Sequence, residues 1–319
     1  MKKIRVGVVG VGYLGKYHAQ KYARMADVTL VGVVDTDKAL AEQVAGDTRS
    51  QGFSDYRDLL GKIDAASVVV PTSSHFPISK ELLAHGIDLM IEKPITTSLA
   101  EADELIHLAQ SRKRLIQVGH LERFNPAVVS LEGIVREPMF IESHRLGIYK
   151  ERATDVSVVL DLMIHDIDII LNMAGSEVTH IHAAGIPVVS EHVDIANARL
   201  EFKSGCVANV TASRISMKNE RKTRIFQRDA YIAVDFANHE ATIVRKDTQG
   251  NSGMIPGFDI EKRVLGKGDA LDDELRAFIH SVKTRETPLV TGQTGRDALK
   301  TALDVMEQIQ KTSNRLVNR

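Results

Sequence analysis

The glycine pattern G-V-G-Y-L-G at positions 10–15 constrains the fold of this 319-residue chain more than any other feature. It follows directly on the apolar run at 4–9 and precedes a helical pattern at 17–24. Glycines at this spacing allow a sharp turn, a close approach to a pyrophosphate, and helix packing against a sheet. The residues of the turn predicted to bind a dinucleotide are Gly10, Gly12, Tyr13, Leu14 and Gly15.

Strand-length apolar runs alternate with helical patterns over the first 120 residues. The predicted strands are 4–9, 28–34, 66–70, 88–91 and 115–118, and the predicted helices are 17–24, 78–85 and 99–110. Such alternation is typical of a parallel sheet covered by helices on both faces. We therefore predict a doubly wound α/β unit of the Rossmann type.

The second predicted strand ends at a carboxylate that suits a dinucleotide. Asp35 lies 20 residues beyond Gly15, where it would accept hydrogen bonds from the adenosine ribose. Asp37 follows, so the 2′-phosphate of NADP would meet two carboxylates with only Lys38 in compensation. NAD is the predicted cofactor. The alternative is a purely structural glycine turn, with Asp35 as a helix cap.

Two further segments are predicted to face the cofactor. The loop at 71–77 carries Thr72 and His75, and ligands lie outside the carboxyl ends of parallel strands. His75 could equally cap the helix that follows. The strand at 88–91 ends in Glu92, Lys93 and Pro94, and the proline fixes the direction in which the chain leaves. We predict that Lys93 lies beside the nicotinamide and that Glu92 pairs with a cation or with bound ligand.

A polar stripe interrupts the apolar helical segment around residue 165. Asp161, His165, Asp168 and Asn172 fall at helical spacing on one face. His165 suits proton transfer near neutrality, and Asp161 can orient its imidazole. A metal site of Asp161, His165 and Asp168 ranks lower, because NAD-linked alcohol oxidation needs no metal when lysine and histidine are present. A third reading is a buried histidine satisfied by a neighbouring carboxylate.

Composition excludes several classes of protein. The chain is 43% apolar and 26% charged, with a net charge of −1, so it carries no global field for nucleic acid or a membrane surface. Cys206 is the only cysteine, which fits a reducing compartment. We find no export signal, and the most apolar stretch, 156–173, is broken by charged residues. A cytoplasmic protein is predicted.

The second half of the chain has the pattern of hairpins followed by helices. Predicted strands are 181–189, 195–202, 207–213, 224–228, 231–235 and 241–245, and amphipathic helices are predicted at 271–284 and 296–312. We assign residues 1–120 to the dinucleotide-binding domain and residues 121–319 to a second domain, whose terminal helix could pack back on the first.

Four segments together resemble the Gfo/Idh/MocA family of nicotinamide-dependent oxidoreductases, over essentially the whole chain. They are the glycine turn, Glu92-Lys93-Pro94, the run V-G-H-L-E-R-F-N-P at 118–126, and Asp161-x-x-x-His165. The resemblance implies a C-terminal α/β domain built on an open, mainly antiparallel sheet that often serves oligomerisation. A homo-oligomer, dimer or tetramer, is therefore predicted.

The resemblance also implies roles for the site residues. His165 would take the hydroxyl proton while hydride leaves the same carbon for nicotinamide C4, and Lys93 would stabilise the charge that develops on the oxygen. Leu162 and Met163 stand where many members have glycine, and Arg228-Asp229 replaces an expected glycine. These departures leave the shape of the substrate pocket open.

The runs at 119–126 and 160–166 are most similar to the branch of the family that oxidises the 3-hydroxyl of UDP-N-acetylglucosamine. A diphosphate substrate would favour cations, and Arg123, Arg145, Lys150 and Arg152 are candidates. The predicted substrate contacts are Arg123, Asn125, Arg145 and Tyr149.

Other functions remain open from sequence. They are an inositol or free-sugar dehydrogenase of the same family, a related enzyme acting on an imine or a tetrapyrrole, and a non-enzymatic NAD-binding sensor. The presence of both Lys93 and His165 favours an enzyme.

Overall fold

A computed structural model describes residues 3–149, 156–247, 257–266 and 268–317, with side chains through Thr312. The chain divides into two compact units. Unit 1 comprises Met1–Leu121 with Asp269–Leu299, and unit 2 comprises Glu122–Gly268 with Lys300–Arg319. The first boundary lies beside the predicted one, whereas residues 269–299 lie in unit 1 rather than in the predicted second domain.

The described strands and helices follow in chain order. The strands are β1 (Ile4–Val9), β2 (Val28–Val34), β3 (Gln51–Phe53), β4 (Ala65–Val68), β5 (Asp88–Glu92), β6 (Ile116–Gly119), β7 (Phe140–Leu146), β8 (Val178–Ile186), β9 (Ile195–Phe202), β10 (Val207–Ser213), β11 (Glu220–Gln227), β12 (Ala230–Asp235), β13 (Glu240–Lys246) and β14 (Phe258–Val264). The helices are α1 (Gly15–Arg24), α2 (Lys38–Thr48), α3 (His75–Ala84), α4 (Leu99–Ser111), α5 (Pro126–Val129), α6 (Ile164–Ala174), α7 (Ala270–Thr284) and α8 (Gly292–Val317).

Unit 1 is a doubly wound parallel sheet. Its six strands lie in the order β3-β2-β1-β4-β5-β6, and every neighbouring pair is parallel. The order reverses between β1 and β4, which is where a crevice for a dinucleotide forms in such sheets. The predicted Rossmann architecture is confirmed.

Helix α7 completes the apolar core of unit 1. Its residues Leu275 and Phe278 belong to the same buried cluster as Val8 and Tyr22. Arg285, directly after α7, donates to the buried carboxylate of Asp88 on β5 at 3.1 Å. These contacts explain why a segment so late in the chain belongs to the first unit.

Unit 2 is built on an eight-stranded sheet in the order β14-β13-β12-β11-β7-β10-β9-β8. All pairs are antiparallel except β7 with β10. The predicted open, mainly antiparallel sheet is confirmed, and the structure adds β7 and β14, which the sequence analysis did not predict.

The two faces of this sheet differ. Ser143 and Arg145 of β7 lie on the face that bonds to α6, whereas Phe140 points to the other face. There Phe226 stacks between Phe140 and Tyr231, with ring centroids 5.7 Å and 5.0 Å apart. An aromatic row thus crosses three strands of the face opposite α6.

Among the described helices of the chain, none is long and apolar enough to cross a membrane.

Candidate active site

The three glycines of the turn differ in what requires them. Gly10 has φ +85°, and a Cβ there would lie 2.4 Å from the carbonyl oxygen of Val69; a Cβ on Gly15 would lie 1.9 Å from the carbonyl oxygen of Gly10. Internal packing therefore excludes side chains at both positions. A Cβ on Gly12 would meet no described atom within 4 Å. The space beside Gly12 is open, as a closely approaching ligand requires.

Asp35 holds the glycine turn and faces the same space. Its carboxylate accepts hydrogen bonds from the backbone N–H of Val11 at 2.9 Å and of Asp37 at 3.1 Å. Asp37, rather than Asp35, caps a helix: its side chain accepts from Ala39 and Leu40 at the start of α2. Asp35 therefore does not cap this helix, which was the alternative role considered for it from the sequence.

A cavity of about 550 Å³ opens at the carboxyl ends of β1, β2 and β4. Its lining includes Gly10, Gly12, Asp35, Pro71 and Ser74. No described side chain caps the start of α1, and the positive end of its helix dipole favours an anion there. The size of the cavity, the open space beside Gly12 and the carboxylate of Asp35 in its lining together fit a bound dinucleotide.

One wall of the cavity is a polar cluster that the sequence analysis missed. Arg57 donates to Glu81 at 2.9 Å and Tyr56 donates to the same carboxylate at 2.5 Å. Burial and this hydrogen bond raise the pKa of Tyr56 to about 12, so the phenol stays neutral. Asp55 lies 3.5 Å from the Arg57 guanidinium on its other side. Because carboxylates already neutralise Arg57, the wall does not favour the extra phosphate of NADP.

The loop after β4 places its two predicted contacts differently. Thr72 is half-buried on a 3-10 turn, Thr72–Ser74, beside the cavity. His75 is buried, and its ring nitrogens each lie 2.9 Å from a backbone carbonyl oxygen, one of Val70 and one of Pro94. Since both ring nitrogens face carbonyls, His75 contacts two loops of unit 1, and its contact with a cofactor stays a prediction.

Lys93 stands at the carboxyl end of β5, as predicted, and is half-buried. Its neighbour Glu92 lies 3.3 Å from the Nε2 atom of His18 on α1 and accepts from the backbone N–H of Lys93 at 3.3 Å. The Lys93–Pro94 peptide is cis. Glu92 thus lies beside a buried histidine of unit 1.

In unit 2 the polar stripe begins on an irregular turn. Val159–Met163 is π-helical, and regular helix α6 starts only at Ile164. Asp161 and His165, on either side of this transition, are both half-buried. Turns of this kind are frequent at functional sites because they re-aim side chains. The spacing of Asp161 and His165 in the sequence predicted ordinary α-helical geometry for both.

Arg145 lies in a buried ion cluster. Its guanidinium donates to Asp166 at 2.7 Å and to Glu122 at 2.8 Å. Burial opposes the guanidinium charge, but the two carboxylates raise the pKa of Arg145. Burial likewise opposes ionisation of Glu122, yet Arg145 and then Arg221 hold the pKa of that carboxyl below its usual value. Each nitrogen of Arg145 has a carboxylate partner, so the geometry does not favour its predicted contact with substrate.

Arg123 and Asn125 are also built into unit 2. Arg123 donates to Asn172 at 2.7 Å and lies 3.7 Å from buried Asp168. Asn125 accepts from Ala127 at the start of α5. Both predicted substrate contacts therefore hold the fold together, and Asp168 faces an arginine rather than sharing a ligand with His165. Among the described residues no group of three histidine, cysteine or acidic side chains could hold a metal ion.

Of the four predicted substrate contacts, Tyr149 alone is exposed, with 42% of its surface accessible. Lys150 and Arg152, the other candidate cations for a diphosphate, lie outside the described residues.

Two residues that contact predicted site residues were not predicted from the sequence. His18 belongs to the buried face of α1 with Gly15, Ala19 and Tyr22, and a histidine on an apolar helical face was its one signal. Asp166 follows His165 directly but is buried against Arg145 on β7. Its partner strand was not predicted, so the pattern gave no means of pairing them.

Both halves of the chain match models of known families. Residues 4–120 match the family described as oxidoreductase family, NAD-binding Rossmann fold, GFO/IDH/MocA, and residues 127–233 match the GFO/IDH/MocA C-terminal domain.

The chain is also similar to individual proteins over its full length. It is 37% identical to UDP-N-acetylglucosamine 3-dehydrogenase of Acidithiobacillus ferrooxidans over 97% of this chain and 98% of that protein. A solved structure of that enzyme covers 98% of this chain and 99% of its own, with a TM-score of 0.92. The scyllo-inositol 2-dehydrogenase (NAD(+)) of Bacillus subtilis is 27% identical over 91% of this chain and 89% of its own.

Proposed function

Because the chain belongs to the Gfo/Idh/MocA oxidoreductases, we propose that its substrate is a nucleotide sugar, UDP-N-acetylglucosamine, oxidised at C3. Membership makes the chain an NAD-binding oxidoreductase. The observation that carries the choice of substrate is its end-to-end similarity to a UDP-N-acetylglucosamine 3-dehydrogenase.

The proposed reaction converts a secondary alcohol into a ketone. The C3–H bond breaks and its electron pair leaves as hydride, which oxidised NAD accepts at C4 of the nicotinamide when bound. The O–H bond breaks in the same conversion and its proton goes to a base. The products are a 3-keto nucleotide sugar, NADH and one proton.

Three residues are assigned to this chemistry. His165 takes the hydroxyl proton, since imidazole titrates near neutrality. Asp161 orients that ring. Lys93 donates a hydrogen bond to the reacting oxygen and stabilises its developing charge. Support comes from the position of Lys93 after β5 and from the irregular turn that presents Asp161 and His165.

The test is reduction of NAD with a panel of UDP-sugars, free sugars and inositols, followed by mass spectrometry of the product. We expect UDP-N-acetylglucosamine to give the highest kcat/KM and a product two hydrogens lighter. Borodeuteride reduction of that product, with NMR of the recovered sugar, should place deuterium at C3. Deuterium at another carbon, or turnover with inositols alone, would contradict the proposal.

A second candidate is an inositol dehydrogenase, which the similarity to the Bacillus subtilis enzyme favours. The same panel separates the two, because an inositol carries no diphosphate. For the inositol enzyme, added UDP should not compete with substrate. For the nucleotide-sugar enzyme it should.

We also propose that the chain forms a homo-oligomer through the sheet face opposite α6. Its aromatic row, Phe140, Phe226 and Tyr231, gives that face apolar area. Sedimentation velocity of the protein and of a Phe226→Glu variant tests this, and an unchanged mass in the variant would contradict it.

A cytoplasmic location fits the single buried thiol, Cys206, and cell fractionation tests it.

A further inference from the structure

Two buried histidines flank Lys93 in unit 1. On one side, the Nε2 atom of His18 lies 3.3 Å from a carboxylate oxygen of Glu92. On the other, the Nδ1 atom of His75 lies 2.9 Å from the carbonyl oxygen of Pro94. An imidazole therefore lies against the residue before the lysine and another against the residue after it, and the contact of His18 with Glu92 is a close approach without hydrogen-bond geometry.

The remaining nitrogen of each ring reaches β4 and the loop after it. The Nδ1 atom of His18 lies 3.2 Å from the hydroxyl of Ser67, and the Nε2 atom of His75 lies 2.9 Å from the carbonyl oxygen of Val70. His18 thus contacts β4 and the end of β5, and His75 contacts the segments that follow these two strands. A neutral His75 would bond one carbonyl at a time, and a protonated ring would bond both.

The surroundings leave these rings little freedom. His18 is 0% exposed and His75 is 1% exposed. The hydroxyl of Tyr22 lies 2.9 Å from that of Ser67, which extends the network into the core. A Cβ on Gly119 would lie 2.8 Å from the Glu92 carboxylate, so β6 limits that carboxylate from another side. Rotation of the His18 ring would break its contact with the Ser67 hydroxyl, and rotation of the His75 ring would break its contacts with carbonyl oxygens, which is costly in a buried site.

We propose that His18 and His75 are positioning residues for Lys93. They contact the Glu92 side chain, which accepts from the backbone N–H of Lys93, and the carbonyl of Pro94, and so limit the motion of the segment that carries the lysine. Errors of about 1 Å in a reacting group can cost about 100-fold in rate. The proposal rests on the assigned role of Lys93, and its test also has a readout that does not depend on that role.

The kinetic test compares variants that keep ring volume with variants that keep a donor. His18→Leu removes both contacts of that ring, His18→Gln retains a side chain that can donate to Glu92, and Ser67→Ala removes only the second partner. We expect kcat to fall about 10- to 100-fold in His18→Leu and His75→Leu, with partial recovery in His18→Gln. The Kd for NAD should change less than about threefold, because neither histidine is proposed to contact the cofactor.

A matched control lies on the same helix. His85 is exposed at the end of α3 and also contacts a backbone carbonyl, that of Glu81 at 2.8 Å. His85→Leu should leave kcat, KM and the Kd for NAD unchanged.

The second readout is amide hydrogen exchange of residues 89–97 in the protein without ligands. Exchange there should accelerate in His18→Leu, His75→Leu and Ser67→Ala, but not in His85→Leu. Unchanged exchange with wild-type kcat would overturn the proposal, as would a drop in kcat matched by an equal loss of NAD affinity. If Lys93→Ala itself retains full turnover, the proposed chemistry fails, while faster exchange still shows that the histidines hold the segment.

Discussion

The guanidinium of Arg145 donates to Asp166 at 2.7 Å with both side chains buried, so a strand and a helix of unit 2 are joined by opposite charges away from water. This bond fixes the helix whose first turn carries His165. It also supports a quantitative expectation about stability.

Asp166→Asn should destabilise unit 2 by about 3 to 5 kcal/mol, because it leaves part of the buried charge of Arg145 without a partner. Urea unfolding followed by circular dichroism measures this. The control is Lys300→Ala, which breaks an exposed pair with Asp304 at 2.7 Å and should cost no more than about 1 kcal/mol. Equal effects of the two substitutions would contradict the buried-charge argument.

Lys93→Ala and His165→Ala should each lower kcat by about 100- to 10,000-fold, since each removes a group assigned to charge stabilisation or proton transfer. The Kd for NAD, measured by titration calorimetry, should change little in His165→Ala. His107→Ala, at an exposed position of α4, is the control. Near-normal turnover in both active-site variants would show that other groups do this chemistry.

Substitutions of the turn glycines should separate ligand binding from folding. A Cβ at Gly12 meets no described atom within 4 Å, whereas one at Gly15 lies 1.9 Å from a carbonyl oxygen. Gly12→Ala should therefore keep the melting temperature but weaken NAD binding at least about tenfold, or about 1.4 kcal/mol. Gly15→Ala should lower the melting temperature itself. Thermal denaturation with and without NAD distinguishes these outcomes, and an unaltered affinity in Gly12→Ala would place the cofactor elsewhere.

Asp35→Asn should relax the preference for NAD over NADP. An asparagine oxygen can still accept from Val11, while the bond from the Asp37 N–H and the negative charge that repels a 2′-phosphate are lost. The ratio of kcat/KM values for the two cofactors should move toward NADP about tenfold or more. Asp37→Asn, which keeps a good helix cap, is the control and should leave the ratio nearly unchanged. A larger shift in that control would assign the discrimination to Asp37.

Stability should fall at acid pH through Asp194. Burial alone would raise its pKa, but backbone N–H groups of Val188, Val189 and Ser190 and the Ser190 hydroxyl hold the pKa of this carboxyl far below its usual range. Because the folded pKa is depressed, its stabilisation is complete above the unfolded value of about 3.9 and is lost as the pH falls further.

Asp194→Asn should therefore be less stable than the parent at neutral pH and depend less on pH below about pH 4. Urea midpoints measured between about pH 3 and pH 7 give the pH dependence of stability for the parent and for the variant. Parallel curves for the two proteins would contradict this account.

Much of unit 1 could be predicted because its signals are local. The glycine turn and largely apolar runs gave β1 and β2 with the bounds that the structure has. Helix α2 was not predicted, since its alanines and glycine give a weak amphipathic pattern. Strand β3 spans only three residues, which is too short for periodicity to indicate.

Unit 2 and its candidate site were harder to predict because polar and charged residues mask the hydrophobic pattern of its strands. Strand β7 alternates in burial, but its inward side carries Ser143 and Arg145, so hydrophobicity alone does not indicate a strand. The same arginine was predicted to bind a diphosphate because such a substrate favours cations, and its carboxylate partners, Glu122 and Asp166, are too remote in sequence for their pairing to be recognised. An α-helical period also could not indicate the π-helical turn at Val159–Met163. Local motifs therefore predicted the cofactor turn, while tertiary pairing decided the roles of the cations.

Helix α7 lies in the same buried cluster as Val8 and Tyr22, and this has a consequence for biosynthesis. The ribosome releases the strands of unit 1 long before it makes residues 270–284, so the nascent sheet spends most of translation without the helix that seals it. Incompletely packed apolar surface promotes aggregation. Unit 1 can therefore bury its full apolar core only after residues 270–284 have been made, late in synthesis of the chain.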